Sequence, residues 1–286
     1  MITNKLVLGT VQFGVNYGIN NTSGQVMPEE VVRILNLAAE NSVLTLDTSS
    51  AYGTSEQVLG DTLRRTGLQF NIVSKYPKGN IGVKETFQES LRKLGIENLY
   101  GYLVHHFDFY QEHPDIFDDM IALKEDGKIQ KVGFSLYNTH QLQYLLDRNV
   151  KFDLIQFPYN IFDRQFEPYM PVLAEMGVEI HTRSAFLQGL FFKNTDTLPE
   201  KLKPLKNYLD ILHQYCQHEN ISVEEISLGY VLANPNVSGA LIGVDNHHQL
   251  ESNLKIITRK LASKNINFIQ SIEIQEKYLL NPVNWN

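Results

Sequence analysis

Residues 43–53 read Val-Leu-Thr-Leu-Asp-Thr-Ser-Ser-Ala-Tyr-Gly, a short apolar run that stops at an acid and continues through a polar loop to a tyrosine. The apolar run is typical of a buried β-strand, and the loop places Tyr52 shortly after Asp47. Two later apolar runs end in the same way, one at Lys75 and one at His105. A strand that gives way to a chemically active side chain therefore recurs along this sequence.

Short apolar runs alternate with longer amphipathic stretches from one end of the chain to the other. The predicted strands are 6–10, 43–46, 70–74, 99–104, 129–134, 152–157, 178–182 and 239–242. The predicted helices are 28–41, 55–66, 82–95, 114–126, 138–148, 168–176, 203–219, 222–234 and 246–260. Such alternation implies right-handed crossovers and a parallel sheet that is covered on both faces. We therefore predict an α/β fold, a single (β/α)8 TIM barrel that occupies residues 1–286 as one domain.

An open doubly wound sheet is the alternative architecture. It predicts a Gly-x-Gly-x-x-Gly turn after the first strand, where the phosphates of a dinucleotide would bind. Residues 9–14 read Gly-Thr-Val-Gln-Phe-Gly and lack that spacing, which favours the closed barrel. The stretch 191–204 is interpreted as a loop excursion after the seventh strand, within the same domain.

The composition, with 43% hydrophobic and 20% charged residues, is that of an ordinary globular protein. The net charge of −7 without a basic cluster makes nucleic acid and anionic membranes poor partners. The single cysteine, Cys216, precludes an internal disulfide and suits a reducing compartment. No apolar run approaches the ~20 residues that span a bilayer. We expect a soluble cytoplasmic protein that is a monomer or a weak homo-oligomer.

Four polar side chains form the candidate catalytic set. In a barrel the active site lies at the C-terminal ends of the strands, where Asp47, Lys75 and His105 fall and where Tyr52 follows by a short loop. Hydride addition to a carbonyl builds negative charge on its oxygen, and a tyrosine donates a proton there more readily when a cation lowers its pKa. We predict Tyr52 as the general acid, Lys75 as that cation and Asp47 as the group that orients it. His105 would hydrogen-bond the substrate oxygen.

His106 competes with His105 for this last role. Neighbouring side chains on a strand point in opposite directions, so only one of the two can face the mouth, and the spacing from residues 103–104 favours His105. The His247-His248 pair lacks Cys or acidic partners at metal-binding offsets, so we expect no metal site.

The motifs around these residues resemble the aldo-keto reductase family over essentially the whole chain. The matching segments, in order, are 8–14, 47–53, 74–75 and 103–105. The resemblance implies a barrel that binds NADPH or NADH across its mouth and reduces an aldehyde, ketone or sugar carbonyl to an alcohol, or runs the reverse oxidation. It also identifies the four residues above as catalytic. Segments 12–18 and 183–190 resemble a bacterial branch associated with sugar metabolism and polysaccharide synthesis.

The resemblance assigns further residues to the coenzyme. Ser135 and Gln156, at the ends of the fifth and sixth strands, would hold the nicotinamide carboxamide, although Leu136 stands where the family often has Asn. Arg183 stands at the start of the pyrophosphate loop, where an aromatic side chain usually stacks on the nicotinamide. A guanidinium can also lie flat on a ring or pair with phosphate, so Arg183 remains an expected contact.

At the eighth strand, Gly243 and Gln249 stand where a Lys or Arg often holds the 2′-phosphate of NADPH. The resemblance nevertheless favours NADP over NAD as the coenzyme. The complete set of residues expected to bind it is Gly9, Thr10, Gln12, Ser135, Gln156, Arg183, Ser184, Phe186, Gln188, Gly189, Gly243, Gln249 and Asn253.

Phe13 and Tyr17, on the first loop, are expected to line the pocket for a small-molecule carbonyl substrate. Two other functions remain open. One is a cofactor-binding regulatory subunit with little turnover, and the other is a barrel lyase that uses Lys75 as a Schiff-base amine. The lyase requires a lysine away from carboxylates, whereas Asp47 on the neighbouring strand predicts a paired one.

Overall fold

The computed structural model describes residues 4–79 and 82–285, so the predicted domain 1–286 also takes in residues 1–3, 80, 81 and 286, which lie outside these ranges. Eight parallel strands pair in chain order, and β8 pairs with β1 to close the sheet. The strands are β1 (Leu6–Gly9), β2 (Thr45–Asp47), β3 (Asn71–Tyr76), β4 (Leu99–Val104), β5 (Ile129–Ser135), β6 (Leu154–Pro158), β7 (Glu179–Arg183) and β8 (Gly239–Gly243). The predicted (β/α)8 barrel is confirmed.

Helices connect the strands and cover the outside of the barrel. They are α1 (Val11–Gly14), α2 (Pro28–Glu40), α3 (Ser55–Thr66), α4 (Val83–Leu94), α5 (Phe107–Glu112), α6 (Asp115–Glu125), α7 (Thr139–Asp147), α8 (Met170–Glu175), α9 (Lys206–Glu219), α10 (Val223–Ala233), α11 (His247–Ile257) and α12 (Ser263–Ser271). Every predicted helix has a counterpart, whereas α1, α5 and α12 were not predicted. The excursion 191–204 contains the 3-10 helix Thr195–Thr197 and most of a second one, Glu200–Leu205.

Local signals in the sequence explain where these helices begin and end. At α7 the Asn138 side chain accepts from the backbone of Gln141, whose own side chain accepts from the Asn138 backbone, a reciprocal capping box. Helices α3 and α4 each end at a glycine in the left-handed conformation, Gly67 with φ 72° and Gly95 with φ 69°. Glycine adopts that conformation without steric cost, so both helices stop where the chain turns back toward the barrel.

The inside of the barrel holds a small apolar cluster that is separate from the main core between sheet and helices. Its fully buried members are Val73 on β3, Leu103 on β4 and Leu154 on β6. A Cβ on Gly101 of β4 would lie 3.1–3.2 Å from the side chains of Val73 and Leu154, so these side chains meet across the barrel axis. Because direction alternates along a strand, the residues two positions further on face inward as well. Those residues are Lys75, His105 and Gln156.

The turn that carries Tyr52 lies directly against the short helix α1. A Cβ on Gly14 would lie 1.8 Å from the carbonyl oxygen of Tyr52, and one on Gly53 would lie 2.5 Å from the carbonyl oxygen of Gly14. Gly53 also has a positive φ of 57°. Only glycines permit this approach, so these two positions fix the Tyr52 turn against the end of the first strand.

Two helical glycines differ sharply in the space around them, which makes a matched test of the packing. A Cβ on Gly60 of α3 would lie 2.0 Å from the backbone oxygen of Lys93 on α4, whereas a Cβ on Gly229 of α10 meets the Leu261 side chain at an ordinary 3.5 Å. We expect Gly60→Ala to lower the free energy of unfolding by about 1–3 kcal/mol because the helices must separate. Gly229→Ala should raise it by up to about 1 kcal/mol through helix propensity.

Urea denaturation of the two variants and the unaltered protein measures both changes. Equal effects of the two substitutions would contradict the close packing of α3 on α4.

Candidate active site

A buried ion pair lies at the floor of the barrel mouth. Lys75 Nζ lies 2.5 Å from Asp47 Oδ1, and neither side chain is more than 3% exposed. Lys75 also donates to the carbonyl oxygen of Thr48 at 2.8 Å, and Gln156 Nε2 donates to Asp47 Oδ2 at 2.8 Å. Both carboxylate oxygens and the ammonium group are therefore hydrogen-bonded, which a buried pair requires because an unpaired charge there is strongly destabilising.

Tyr52 lies above this pair, where its hydroxyl is 3.4 Å from Lys75 Nζ. Its ring meets the His105 ring edge-on, with the centroids 5.7 Å apart. Burial raises the pKa of Tyr52, and the Asp47 carboxylate raises it further, while Arg183 acts in the opposite direction. Burial likewise lowers the pKa of Lys75, against the opposing attraction of Asp47.

The expectation that Lys75 lowers the pKa of Tyr52 is therefore wrong for the net shift in the free protein. The pKa of Tyr52 is raised because the phenol is desolvated by burial. The Asp47 carboxylate adds to this effect, since it neutralises the ammonium charge beside the phenol. The structure holds Tyr52 as a neutral phenol with its proton in place. A neutral phenol is the form that a general acid must have before reaction.

His105 is held by a hydroxyl that the sequence did not single out. Ser49 Oγ lies 3.1 Å from His105 Nδ1, and Ser49, which is fully buried, also accepts from the backbone N–H of Ala51 at 3.2 Å. Burial holds the pKa of His105 well below its ordinary value, and the nearby charges of Lys75 and His106 add to this effect. His105 is thus a neutral imidazole, whose tautomer depends on the hydrogen bond at Nδ1.

A cavity of about 530 Å³ opens above these groups. It extends from Asp47, Tyr52 and Gln156 along the loop after β7 to the turn between β8 and α11. Most of the residues predicted to bind coenzyme or substrate line it: Gly9, Thr10, Gln12, Tyr17, Gln156, Arg183, Ser184, Phe186, Gln188, Gly189, Gly243, Gln249 and Asn253. The structure therefore brings together in one cavity segments from β1, β6, β7 and β8.

Two of the residues predicted to bind coenzyme or substrate do not line this cavity, and neither do the catalytic candidates Lys75 and His105, which lie beneath it. Ser135 is buried at the end of β5, in register with Gln156 of β6, and is absent from the cavity lining. Phe13 lies in α1, where its fully buried ring belongs to the main hydrophobic core. The four-residue helix turns Phe13 inward toward the packing layer, and on this side the cavity is lined by Tyr17 instead.

Arg183 is anchored beside the mouth by an aromatic ring. Its guanidinium carbon lies 4.3 Å from the centre of the Tyr137 ring, and its Nη2 donates to the Leu136 carbonyl oxygen at 3.0 Å. Stacking, this hydrogen bond and a longer one from Nη1 to Ser184 Oγ at 3.5 Å orient the group while leaving further N–H donors for a ligand. Leu136 itself is buried, so at this position the chain contributes its backbone oxygen.

The first loop and the loop after β7 are joined across one wall of the cavity. Gln188 Nε2 donates to the Tyr17 hydroxyl at 2.7 Å, and Asn20 Nδ2 donates to the Gly189 carbonyl oxygen at 2.6 Å. Gln188 has a positive φ of 54°, which is uncommon for a residue with a side chain. These bonds fix the shape of the wall between the two loops.

The cavity also suits an extended polar ligand such as a nicotinamide dinucleotide. Gln12 Oε1 and Asp245 Oδ1 are buried without a hydrogen-bond partner among the described residues, and both side chains line the cavity. A Cβ at Gly243 would lie 2.4 Å from Gln12 Nε2, so the glycine leaves room for the Gln12 side chain beside the end of β8. Unsatisfied acceptors along an open groove fit a ligand that brings hydroxyl and amide donors.

Within residues 4–79 and 82–285, no group of three or more His, Cys, Asp or Glu side chains is arranged to hold a metal ion. In the same part of the chain, the helices are too short or too polar to cross a bilayer.

A phenol over a buried lysine–carboxylate pair, at the mouth of a closed (β/α)8 barrel, suits a barrel oxidoreductase that works on carbonyl and alcohol groups. The chain belongs to the aldo/keto reductase family, whose sequence profile matches residues 5–274. It is accordingly an NAD(P)-dependent oxidoreductase. The predicted resemblance is confirmed.

Several named proteins are similar to this chain over most of its length. An uncharacterized oxidoreductase of Bacillus subtilis, YqkF, is 25% identical, with 96% of this chain and 98% of the relative covered. The L-galactose dehydrogenase of Arabidopsis thaliana is 24% identical over 88% of this chain and 85% of its own, and the glyoxal reductase of Bacillus subtilis is 23% identical over 88% and 87%. An aldo-keto reductase structure from Bacillus halodurans superposes with a TM-score of 0.74, at 21% identity, over 95% of this chain and 94% of its own.

The buried pair makes a prediction about stability. Lys75→Met leaves the Asp47 carboxylate buried with Gln156 as its remaining side-chain donor, so we expect the free energy of unfolding to fall by about 3–5 kcal/mol. Adding Asp47→Asn to the same chain should restore part of that loss, because no uncompensated charge then remains. Denaturant titration of both variants measures the difference.

The exposed pair Arg64–Asp61 supplies the control. Asp61→Asn should cost no more than about 1 kcal/mol, as is usual for surface ion pairs. If Lys75→Met lowered the free energy of unfolding by no more than Asp61→Asn does, the buried pair at the barrel floor would not stabilise the fold as predicted.

Proposed function

We propose that this protein reduces the carbonyl group of a small aldehyde, ketone or sugar to an alcohol with NAD(P)H, or catalyses the reverse oxidation, and that Tyr52 is its general acid. The observation that carries the proposal is the Tyr52 hydroxyl, which lies 3.4 Å from the buried Lys75 ammonium at the floor of a cavity of about 530 Å³. Asp47 and His105 complete the catalytic set.

Each residue has a distinct part in the proposed reaction. The coenzyme, when bound, supplies a hydride to the carbonyl carbon. Tyr52 gives its proton to the carbonyl oxygen as negative charge develops there, and the resulting phenolate lies next to the Lys75 ammonium. Asp47 holds Lys75 in place through the 2.5 Å contact, so that the ammonium is already positioned when the phenolate forms.

His105 orients the substrate through its other ring nitrogen. Ser49 Oγ already accepts from the Ala51 N–H, which leaves its own hydroxyl proton available to donate to His105 Nδ1. In that arrangement Nε2 carries the imidazole proton and can donate a hydrogen bond to the carbonyl oxygen. Ser49 is then a positioning residue that selects the useful tautomer.

The coenzyme would bind along the remainder of the cavity. Gln156 and Arg183 lie beside the reacting centre, while Ser184, Gln188 and the segment around Gly243 continue along the groove. The resemblance favours NADPH over NADH as the reductant. The acidic side chains Asp245 and Glu224, which line the cavity near β8, instead favour NADH over NADPH.

The lyase alternative requires an accessible amine at Lys75. That side chain is fully buried and is paired with Asp47, so a substrate carbonyl cannot approach it without rearrangement. The regulatory-subunit alternative does not require Tyr52 to act as an acid. A measurement of turnover distinguishes it from the proposed function.

The relatives support small polar carbonyl compounds as the substrate class, because one is named a glyoxal reductase and another an L-galactose dehydrogenase. We further propose that the protein acts in the cytoplasm as a monomer or a weak homo-oligomer. Sedimentation velocity over a range of protein concentrations would test the oligomeric state.

Turnover tests the catalytic assignment directly. Oxidation of NADH and of NADPH is followed with a panel of aldehydes, ketones and sugars for the unaltered protein and for Tyr52→Phe. We expect the variant to lose about 10² or more in kcat because only the acidic hydroxyl is removed. Tyr278→Phe, at an exposed tyrosine, is the matched control and should leave kcat unchanged.

If the Tyr52→Phe variant retained normal turnover, Tyr52 would not be the acid. Coenzyme binding without turnover on any compound of the panel would favour the regulatory subunit.

The role of Ser49 has its own test, in which Ser50 serves as the control because its hydroxyl donates to the Lys75 carbonyl oxygen and has no bond to His105. We expect Ser49→Ala to lower kcat about tenfold, the equivalent of losing one hydrogen bond worth about 1.4 kcal/mol. Nitrogen-15 NMR of labelled histidine should show the Nε2–H tautomer of His105 in the unaltered protein and a mixture in the variant. Ser50→Ala should change neither quantity.

An Nδ1–H tautomer in the unaltered protein would count against this assignment of Ser49, whatever the kinetics of the variant.

A further inference from the structure

The far end of the cavity carries acidic side chains. The turn after β8 contributes Asp245, and the first turn of α10 contributes Glu224, and both line the cavity. Among the described residues that line it, Arg183 is the permanently charged cation, and it lies at the other end, beside Tyr137 and the reacting centre. A ligand group at the β8 end therefore meets carboxylates without a lysine or arginine to offset them.

Asp245 is held in place but not fully satisfied. Its backbone N–H donates to Gln249 Oε1 at 2.8 Å, and Gln249 Nε2 lies 3.5 Å from Asp245 Oδ2. The other carboxylate oxygen, Oδ1, is buried without a hydrogen-bond partner in the part of the chain that the structure describes. A buried acceptor of this kind is stabilised when a ligand supplies a donor.

The position of Asp245 in the cavity decides which part of a dinucleotide can reach it. The nicotinamide ring must lie at Tyr52, because the hydride and the proton are delivered to the same carbonyl group. The cavity continues from there past the 184–189 loop to the turn that carries Asp245 and to α11 with Asn253. The adenosine half of the ligand thus lies nearest the acidic end.

The ribose of that half differs between the two coenzymes. In NADH it presents two neighbouring hydroxyl groups, each of which can donate a hydrogen bond to a carboxylate. In NADPH one of them carries a phosphate, which adds about two negative charges at neutral pH and supplies only acceptor oxygens. Elsewhere in proteins an acidic side chain at this ribose goes with NAD, and an arginine goes with NADP.

We propose that Asp245 accepts a hydrogen bond from the adenosine ribose hydroxyls of the coenzyme, and that the chain therefore binds NADH more tightly than NADPH. This inference rests on the proposed function, because it takes the cavity as the coenzyme site. It reverses the order that the family resemblance favours, and the reason is local. Gly243 and Gln249 provide no cation, and Asp245 adds an anion, where a 2′-phosphate would have to lie.

Direct binding tests the proposal without relying on catalysis. Isothermal titration calorimetry gives dissociation constants for NADH and NADPH, and for ADP-ribose and its 2′-phosphate, which lack the reactive ring. We expect the unphosphorylated member of each pair to bind at least about tenfold more tightly. Asp245→Asn keeps the shape and removes the charge, so it should reduce that ratio about tenfold, mainly by tightening the phosphorylated ligands.

The control is Glu251→Gln, which removes an acid of equal charge from α11, the helix that follows the Asp245 turn. Glu251 is exposed, pairs with Lys255 and does not line the cavity, so its replacement should leave both ratios unchanged. Circular dichroism and the melting temperature of each variant verify that it is folded.

Different failures of this experiment have different meanings. Tighter binding of NADPH by the unaltered protein, or a ratio that Asp245→Asn does not change, would overturn the role of Asp245 while leaving the reductase intact if turnover depends on Tyr52. If none of the four ligands binds, the cavity is not the coenzyme site, and both the proposed function and this inference fail.

Discussion

The buried contact between Lys75 and Asp47 is the constraint on which the site depends. Removing two charges from water is costly, and the cost is offset only when every charged atom finds a partner. Here those partners come from separate elements: Asp47 from β2, Lys75 from β3, Gln156 from β6 and the carbonyl oxygen of Thr48. A shift in register between any of these strands would leave one of the charges unpaired. The pair therefore ties the catalytic geometry to the closure of the barrel itself.

The same pair sets the protonation state of Tyr52. A lone ammonium group beside the phenol would stabilise phenolate, but a paired one contributes little net charge while the surroundings remain dry, so the pKa of Tyr52 rises. In the proposed reaction the phenol accordingly keeps its proton until negative charge appears on a substrate oxygen. His105 follows similar physics, because burial and neighbouring cations keep its imidazole neutral. The site is thus composed of neutral donors above a neutralised ion pair.

The fold could be predicted from the sequence because parallel strands that are buried on both faces leave continuous apolar runs. The candidate catalytic residues could be predicted because they end those runs at the mouth of the barrel. The direction of the Tyr52 pKa shift could not be predicted, since it depends on how much water is excluded. Ser49 lies in the loop between Asp47 and Tyr52, yet its partner His105 is 56 residues away. Phe13 was predicted to line the pocket because no local signal indicates the four-residue helix that turns its ring into the core.

The proposed proton-transfer site and the proposed adenosine site for the coenzyme lie on different elements of the barrel. Asp47, Tyr52, Lys75 and His105 come from β2, β3, β4 and the segments that directly follow two of these strands, whereas the acidic end of the cavity comes from the β8 turn and α10. Charge at that distant end can change without disturbing the ion pair, because the two regions share no hydrogen bond among the described residues. The first loop and the loop after β7 lie between them, joined through Tyr17 and Gln188. A barrel of this kind can alter its preference between coenzymes at the turn after β8 and leave the ion pair between β2 and β3 unchanged, since the two sets of side chains come from different strands.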